Sequence, residues 1–315
     1  MSGNWERLSF RREGTGKGGP VLRSIEISFH LKLRDHTTIG IGGAADRVVF
    51  PRSPAEVREI LSAERRAGRA LYTMGAGSNL LVSDGGVTGT VLCTKKHLSK
   101  VVFLGGHSVV AEAGVMLPRL AVLCARSGLS GIEPLSGIPG TVGGALSLNA
   151  GAFGRQIGDL VEWVEIADEE GEIHRVEAGA IRFGYRETEF PVKGVVVRAG
   201  FRFAEGTREA VFELMRQWNE KRRADQPWGE KTFGSTFRNP PGRESAGLLL
   251  ERAGMKGERE GDACYSEKHA NFLLNRGRAT ATDVRRLMAR GQRAVQDRSG
   301  ILLVPEVKMW GVFDA

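Results

Sequence analysis

The segment from Gly128 to Gly154, GLSGIEPLSGIPGTVGGALSLNAGAFG, constrains this chain more than any other. Its glycines are interleaved with Leu, Ile, Val, Ala and Phe, and its only charged residue is Glu133. A flexible linker is rich in glycine and serine but hydrophilic. Glycine in so apolar a setting marks backbone that packs tightly or passes close to a ligand. The segment therefore points to a bound cofactor. Within it, Gly137-Ile138-Pro139-Gly140-Thr141-Val142-Gly143-Gly144 allows close backbone approach and offers the Thr141 hydroxyl to a phosphate.

A second loop has the same character. Leu71 to Met74 reads as a short strand feeding Gly75-Ala76-Gly77-Ser78-Asn79, where small residues let successive N–H groups converge on an anion. No Gly-Lys-Ser/Thr follows, so it is not a Walker loop. Leu80 occupies the third glycine position of a dinucleotide fingerprint, and Ser83-Asp84-Gly85-Gly86 interrupts any helix soon after. Either loop alone could be an ordinary turn or tight strand packing. Two of them in one chain favour a dinucleotide.

Composition narrows the classes further. At 315 residues the chain suits two or three subdomains. No apolar run approaches the ~20 residues of a membrane span, and the first residues lack a signal-peptide core. They read as a disordered basic tail, or as a start placed too far upstream. Cys93, Cys124 and Cys264 are far apart and the six histidines are scattered, which argues for a reducing, cytoplasmic setting and against a zinc site. The net charge of +8 is spread along the chain and mixed with acids, fitting a cleft for an anionic small molecule better than nucleic acid.

Patterning predicts strands at 47–50, 71–74, 101–104, 108–112, 160–167, 172–176 and 194–203. Helices are predicted from Ser53-Pro54 to near Gly68, and over 117–126, 209–223, 245–253 and 282–298. Strands and helices do not alternate regularly, so the fold class is α+β rather than doubly wound.

Six motifs in order then resemble one family: GSNLLVSDGG (77–86), GIPGTVGGALSLNAGAFG (137–154), FGYRET (183–188), GSTFRNP (234–240), HANFLLN (269–275) and the terminal PEV (305–307). The pattern is similar to that of the UDP-N-acetylenolpyruvoylglucosamine reductases, over roughly residues 36–311. The resemblance implies a two-lobed FAD-binding region of the vanillyl-alcohol-oxidase (PCMH) type, followed by a smaller α+β substrate-binding domain. Residues 1–30 would be an N-terminal extension, partly disordered. Residues 31–210 would hold FAD, with the lobe boundary near 98, and 211–315 would bind substrate. The direct run from Gly254 to Asn275 matches the shorter type of the family, and the absence of histidine between Met74 and Gly86 implies non-covalent FAD.

The resemblance also implies roles. NADPH would reduce FAD, which would pass a hydride to the enolpyruvyl β-carbon, completing UDP-N-acetylmuramate for peptidoglycan. Arg186 would stabilise charge on the substrate carboxylate, with Glu306 beside it, and Ser235 would protonate the α-carbon. By chemistry alone Arg186 could be a surface arginine and Ser235 a turn serine. Strand alternation over Leu302 to Val307 would put Glu306 on one face with Leu302 and Val304. Asn239 and Tyr185 are the implied substrate contacts. Tyr185 would meet the diphosphate region, and Arg223 or Arg222 could also meet it, the spacing to Ser235 leaving that choice open. The cofactor contacts fall on Gly75, Ala76, Gly77, Ser78 and Asn79, and on Gly137 to Thr141 with Gly143 and Gly144. Ala76, Phe233 and Pro134 depart from the family pattern without removing a catalytic group. The rival readings are a FAD-dependent oxidase and a non-catalytic FAD-binding protein of the same fold.

Overall fold

The computed structural model of the chain describes residues 5–9 and 24–313. Of the stretch read as a tail, residues 1–4 and 10–20 lie outside the described residues. Trp5–Ser9, however, forms an edge strand paired antiparallel with Ser24–Lys32. The sequence SIEISFHLK of Ser24–Lys32 alternates apolar and polar, and Ile25 and Ile27 are buried. Residues 24–30, assigned above to the extension, thus belong to the first sheet.

That sheet runs in the order Trp5–Ser9, Ser24–Lys32, Ala44–Phe50, Val87–Cys93, Leu71–Met74. Its last two pairings are parallel. The crossover between Ala44–Phe50 and Leu71–Met74 is helix α1 (Pro54–Arg66). The Ser53 hydroxyl caps it by accepting from the Glu56 N–H at 3.2 Å, and Pro54 opens its first turn. Val57, Ile60 and Leu61 of α1 share a core with Ile25, Val49 and Leu92 of its own sheet and with Ala167, Val195 and Val197 of the next. One apolar core therefore fixes the angle between the first two lobes.

The second lobe is an antiparallel sheet in the order Ile173–Glu177, Val161–Asp168, Gly194–Arg202, Ser108–Glu112, Val101–Gly105. Helices α2 (Leu117–Arg126), α3 (Val142–Ser147) and α4 (Arg208–Asp225) accompany it. Val211 and Met215 of α4 lie in the same core as Val109, Leu120 and Phe201. The chain thus leaves the second lobe only after α4, beyond the position 210 assigned from sequence.

The last lobe holds α5 (Ala246–Arg252), a small sheet of Arg259–Glu260, Ala263–Tyr265 and Leu273–Asn275, and α6 (Ala281–Ser299). Its core includes Ile39, Ile41 and Leu81 of the first lobe. Two further ties run between these lobes. Lys308–Trp310 pairs in parallel with Leu80–Val82, two strands too short to be read from pattern. Asp84 accepts from the Ala281 and Thr282 N–H groups at 2.8 and 3.0 Å, and Thr280 caps Asp283. The open N–H groups at the start of α6 are thereby satisfied partly from another lobe.

Candidate active site

The three lobes surround a cleft of about 1140 Å³. That exceeds the roughly 300–1,000 Å³ of an ordinary small-molecule pocket, so it has room for more than one ligand. Two glycine loops build one wall. A Cβ on Gly75 would lie 2.2 Å from the Thr141 Oγ1, so the loops touch, and only glycine permits that approach. Gly77 has φ +63, and a Cβ there would lie 2.3 Å from the His36 carbonyl oxygen. Thr141 spends a lone pair of its hydroxyl on capping α3, accepting from the Gly144 N–H at 3.3 Å. Its proton stays free to donate.

These loops carry donors without acceptors. Among the described residues, the backbone N–H groups of Ala76, Gly77 and Ser78 have no partner, nor do those of Gly140 and Thr141. Ala76, Gly77, Gly140 and Thr141 are buried. Buried N–H groups are nearly always paired, so this wall calls for a ligand rich in acceptors. A dinucleotide pyrophosphate answers that description. Asn79 is occupied differently: its side-chain nitrogen donates to the Glu306 carbonyl at 3.3 Å, tying the cofactor wall to the opposite one.

The opposite wall brings together residues far apart in sequence. Arg186 is the second loop residue of a tight hairpin between Arg182–Gly184 and Glu187–Glu189. Its φ of +56 is uncommon for a residue with a side chain and costs on the order of 1 kcal/mol. The turn aims the guanidinium into the cleft, where Nε meets Glu306 Oε1 at 3.0 Å and Nη2 donates to the Gly151 carbonyl at 2.9 Å. Asn149 anchors this hairpin. It is buried, donates to the Gly184 carbonyl at 2.8 Å and accepts from the Gly158 N–H at 3.1 Å.

Glu306 is reached by a different route from the one alternation suggests. Leu302 and Val304 are exposed at 61% and 56%, while Leu303 and Val307 are buried. The stretch before Glu306 is not a regular strand, so the expected shared apolar face does not form. The Glu306 carboxyl is instead enclosed by the cleft itself. Burial pushes its pKa up from the ordinary value, and the charges of Arg186 and then Arg238 pull it back. The Glu306 N–H donates to the Thr236 carbonyl at 2.8 Å, which ties the segment that carries Ser235 to the one that carries Glu306. Ser235 lines the cleft, and its hydroxyl has no hydrogen bond within the described residues.

All fifteen residues assigned above to catalysis and cofactor binding line this cleft, whereas the three assigned to substrate do not. Tyr185 is half exposed, its ring 5.4 Å from the Arg186 guanidinium carbon, and its hydroxyl accepts from the Asn239 N–H at 3.4 Å. Asn239 turns its side-chain oxygen to the Ala246 N–H at the start of α5. Arg223 lies outside the lining, stacked over Trp228 at 5.1 Å. Its neighbour Arg222 takes the cleft position. It is 9% exposed, with Nη1 on Gln226 and with Nε and Nη2 unpartnered among the described residues. Burial and then the like charge of Arg186 lower its pKa from the usual value. The α4 periodicity separates the two arginines: Val211, Met215 and Arg222 are its buried positions, and Arg223 turns outward.

Residues 45–177 match the FAD binding domain family, and residues 226–310 match the C-terminal domain of UDP-N-acetylenolpyruvoylglucosamine reductase. The UDP-N-acetylenolpyruvoylglucosamine reductase of Moorella thermoacetica is 43% identical over 287 residues, covering 91% of this chain and 94% of that one. Reductase 2 of Symbiobacterium thermophilum is 41% identical over 280 residues, 89% and 90% of the two chains. The chain belongs to this reductase family. The crystal structure of the Thermus caldophilus reductase superposes with a TM-score of 0.78 at 36% identity, covering 91% of this chain and 99% of that one. The reductase family thus accounts for both walls: the FAD-binding match contains both glycine loops and the C-terminal match contains Ser235 and Glu306. Arg186 falls between the two matched ranges, in the hairpin that joins them in space.

Proposed function

We propose that this cleft reduces the enolpyruvyl ether of UDP-N-acetylglucosamine to UDP-N-acetylmuramate, a peptidoglycan precursor, with NADPH as reductant. The observation that carries the reading is the convergence of Arg186, Glu306 and Ser235 opposite a wall of unpaired backbone donors. FAD, when bound, relays two electrons from the dinucleotide to the substrate. The unpaired N–H groups of Ala76, Gly77, Ser78, Gly140 and Thr141 would hold its pyrophosphate.

Hydride addition at the β-carbon leaves negative charge on the α-carbon and its carboxylate. Arg186 meets that charge with a guanidinium already fixed by Glu306 and by the Gly151 carbonyl, so little reorganisation is needed as the charge appears. Glu306 keeps the guanidinium in place. Ser235 hands its hydroxyl proton to the α-carbon, and the cationic field of Arg186 stabilises the oxygen left behind until solvent reprotonates it. Arg222, with its open N–H groups and buried stem, is the better diphosphate partner of the two neighbouring arginines. Tyr185 and Asn239 act from the rim, Asn239 by fixing the start of α5. Three free cysteines, all buried, fit a reducing cytoplasm, and among the described residues no helix is long and apolar enough to cross a membrane.

The test is anaerobic spectroscopy of the FAD-loaded protein. NADPH should bleach the flavin, and the enolpyruvyl sugar should restore the oxidised spectrum. Bleaching followed by recovery with oxygen but not with the sugar would support an oxidase instead. Failure to bind flavin would overturn the reading altogether.

A further inference from the structure

The segment from His269 to Phe272 has no part in the chemistry set out above, yet it lies directly behind Ser235. Asn271 within it is 3% exposed. Its side-chain oxygen accepts from the Phe237 N–H at 2.9 Å, and its side-chain nitrogen donates to the Phe237 carbonyl at 2.8 Å. Its own backbone carbonyl accepts from the Thr236 N–H at 2.8 Å, and the next residue, Phe272, bridges Ser235.

On the other side of this stretch, Phe237 bridges Pro305. The Glu306 N–H reaches the Thr236 carbonyl at 2.8 Å, and the Arg238 N–H reaches the Val304 carbonyl at 2.9 Å. Residues 235–237 therefore run between one neighbour that carries Glu306 and another that carries Asn271. The bridge to Pro305 uses the Thr236 carbonyl and the Arg238 N–H, leaving the Thr236 N–H and both polar groups of Phe237 to the other side. There Asn271 supplies a side chain in place of a backbone partner. A carboxamide has a donor and an acceptor in one plane, so it can replace a peptide group in a ladder.

We propose that Asn271 is a positioning residue for the reduction step, its amide substituting for a missing strand residue and setting Ser235 in register with Glu306. The inference rests on the function proposed above. Ser235 lies two residues from Phe237, and Glu306 adjoins Pro305, so a shift at Phe237 moves the proton donor relative to the Arg186–Glu306 pair. It leaves the glycine loops alone. A small misplacement of a reacting group is costly in rate. The fault should appear only where Ser235 acts, in oxidation of the reduced enzyme by the enolpyruvyl sugar.

The experiment compares FAD-loaded wild type, Asn271→Ala and Asn271→Asp by stopped-flow absorbance, each half-reaction separately, together with FAD content and Tm. Bleaching by NADPH should keep its wild-type rate in both variants. Reoxidation by the enolpyruvyl sugar should slow by about 10–100-fold in Asn271→Ala, with a larger solvent deuterium isotope effect because proton delivery has become limiting. Asn271→Asp should recover, relative to the wild-type pH profile, as pH falls, because a protonated carboxyl regains the donor that Phe237 requires. Equal losses in both half-reactions, unimpaired reoxidation, or a failure of both variants to retain FAD would each overturn the proposal. The last outcome would make Asn271 a residue of the fold at large. A wild type that bleaches but is not reoxidised by the sugar would instead overturn the functional reading.

Discussion

The loops at Gly75–Asn79 and Gly137–Thr141 present backbone to the cleft, whereas the segments around Arg186, Ser235 and Glu306 present side chains held by other side chains. The first wall works by what it lacks. Cβ atoms would close it, and its donors are peptide N–H groups without acceptors. The second wall works through a chain of partners: Asn149 holds the hairpin, the hairpin aims Arg186, and Arg186 meets Glu306. The difference predicts how each fails. Damage to the backbone wall should abolish cofactor retention outright, and damage to the side-chain wall should leave cofactor bound while slowing one chemical step.

The most severe break is therefore Gly77→Ala. The new Cβ would collide with the His36 carbonyl at a φ of +63 that alanine adopts at a cost of about 1–2 kcal/mol before any clash. The purified variant should carry no flavin absorbance and show no turnover. Gly85→Ala is the matched control, because no atom lies within 4 Å of the Cβ it would add. It should bind FAD normally; equal loss in both would show that the loop as a whole, and not its close approach, is what matters.

Next in size is Ser235→Ala. General acid catalysis contributes about 10²–10⁴ in rate, and the loss should fall on reoxidation by the enolpyruvyl sugar with bleaching by NADPH intact. A variant that turned over like wild type would remove the serine from the mechanism.

Glu306→Gln tests the electrostatics of the side-chain wall. Losing the partner that fixes Arg186 should lower turnover by about 10²-fold, within the range for a displaced charge stabiliser. Stability should respond to pH in a defined direction. Burial raises the Glu306 pKa in the folded protein, so the native state holds that proton more tightly than the unfolded chain does. Below the ordinary glutamate range both states are protonated. As pH rises from there through the raised value, the native state must ionise a buried carboxyl, and wild type loses stability that the neutral side chain of Glu306→Gln would keep. The gap between wild type and Glu306→Gln in chemical denaturation should therefore shift toward the variant as pH rises, and the opposite slope would mean that Arg186 outweighs burial.

The same contrast governs how much could be read from sequence. Close approach demands glycine itself, so composition exposed the backbone wall at 75–79 and 137–144. The side-chain wall left no such mark. Asn271 meets Phe237 across 34 positions and Asn149 meets Gly184 across 35, and nothing local distinguishes those asparagines from turn residues. Arg186, Ser235 and Glu306 became legible only through the order of several motifs. Alternation misled at Leu302 and Val304, because that stretch joins no sheet and these two side chains face outward while Leu303 between them is buried. It would have succeeded at Ser24–Lys32, where Ile25 and Ile27 follow the period of two, had that strand not adjoined a tail-like composition.

The smallest expected effect lies where the two walls are joined. Asp84 lies in the motif that begins in the cofactor loop, and its carboxylate caps α6 in the substrate-side lobe through the Ala281 and Thr282 N–H groups. Thr280 and Asp283 retain their own capping box in its absence. Asp84→Ala should therefore cost about 0.5–2 kcal/mol, the usual range for a lost cap, without unfolding the helix. In a chain of this size that corresponds to a fall in Tm of a few degrees, roughly 2–4 °C per kcal/mol. Asp84 itself does not line the cleft, so both half-reactions should keep their rates at temperatures well below the transition. A selective loss in either half-reaction would show that the lobes do more than hold each other: the setting of α6 would then reach Ser235 or the flavin, and the division into an independent backbone wall and side-chain wall would have to be given up.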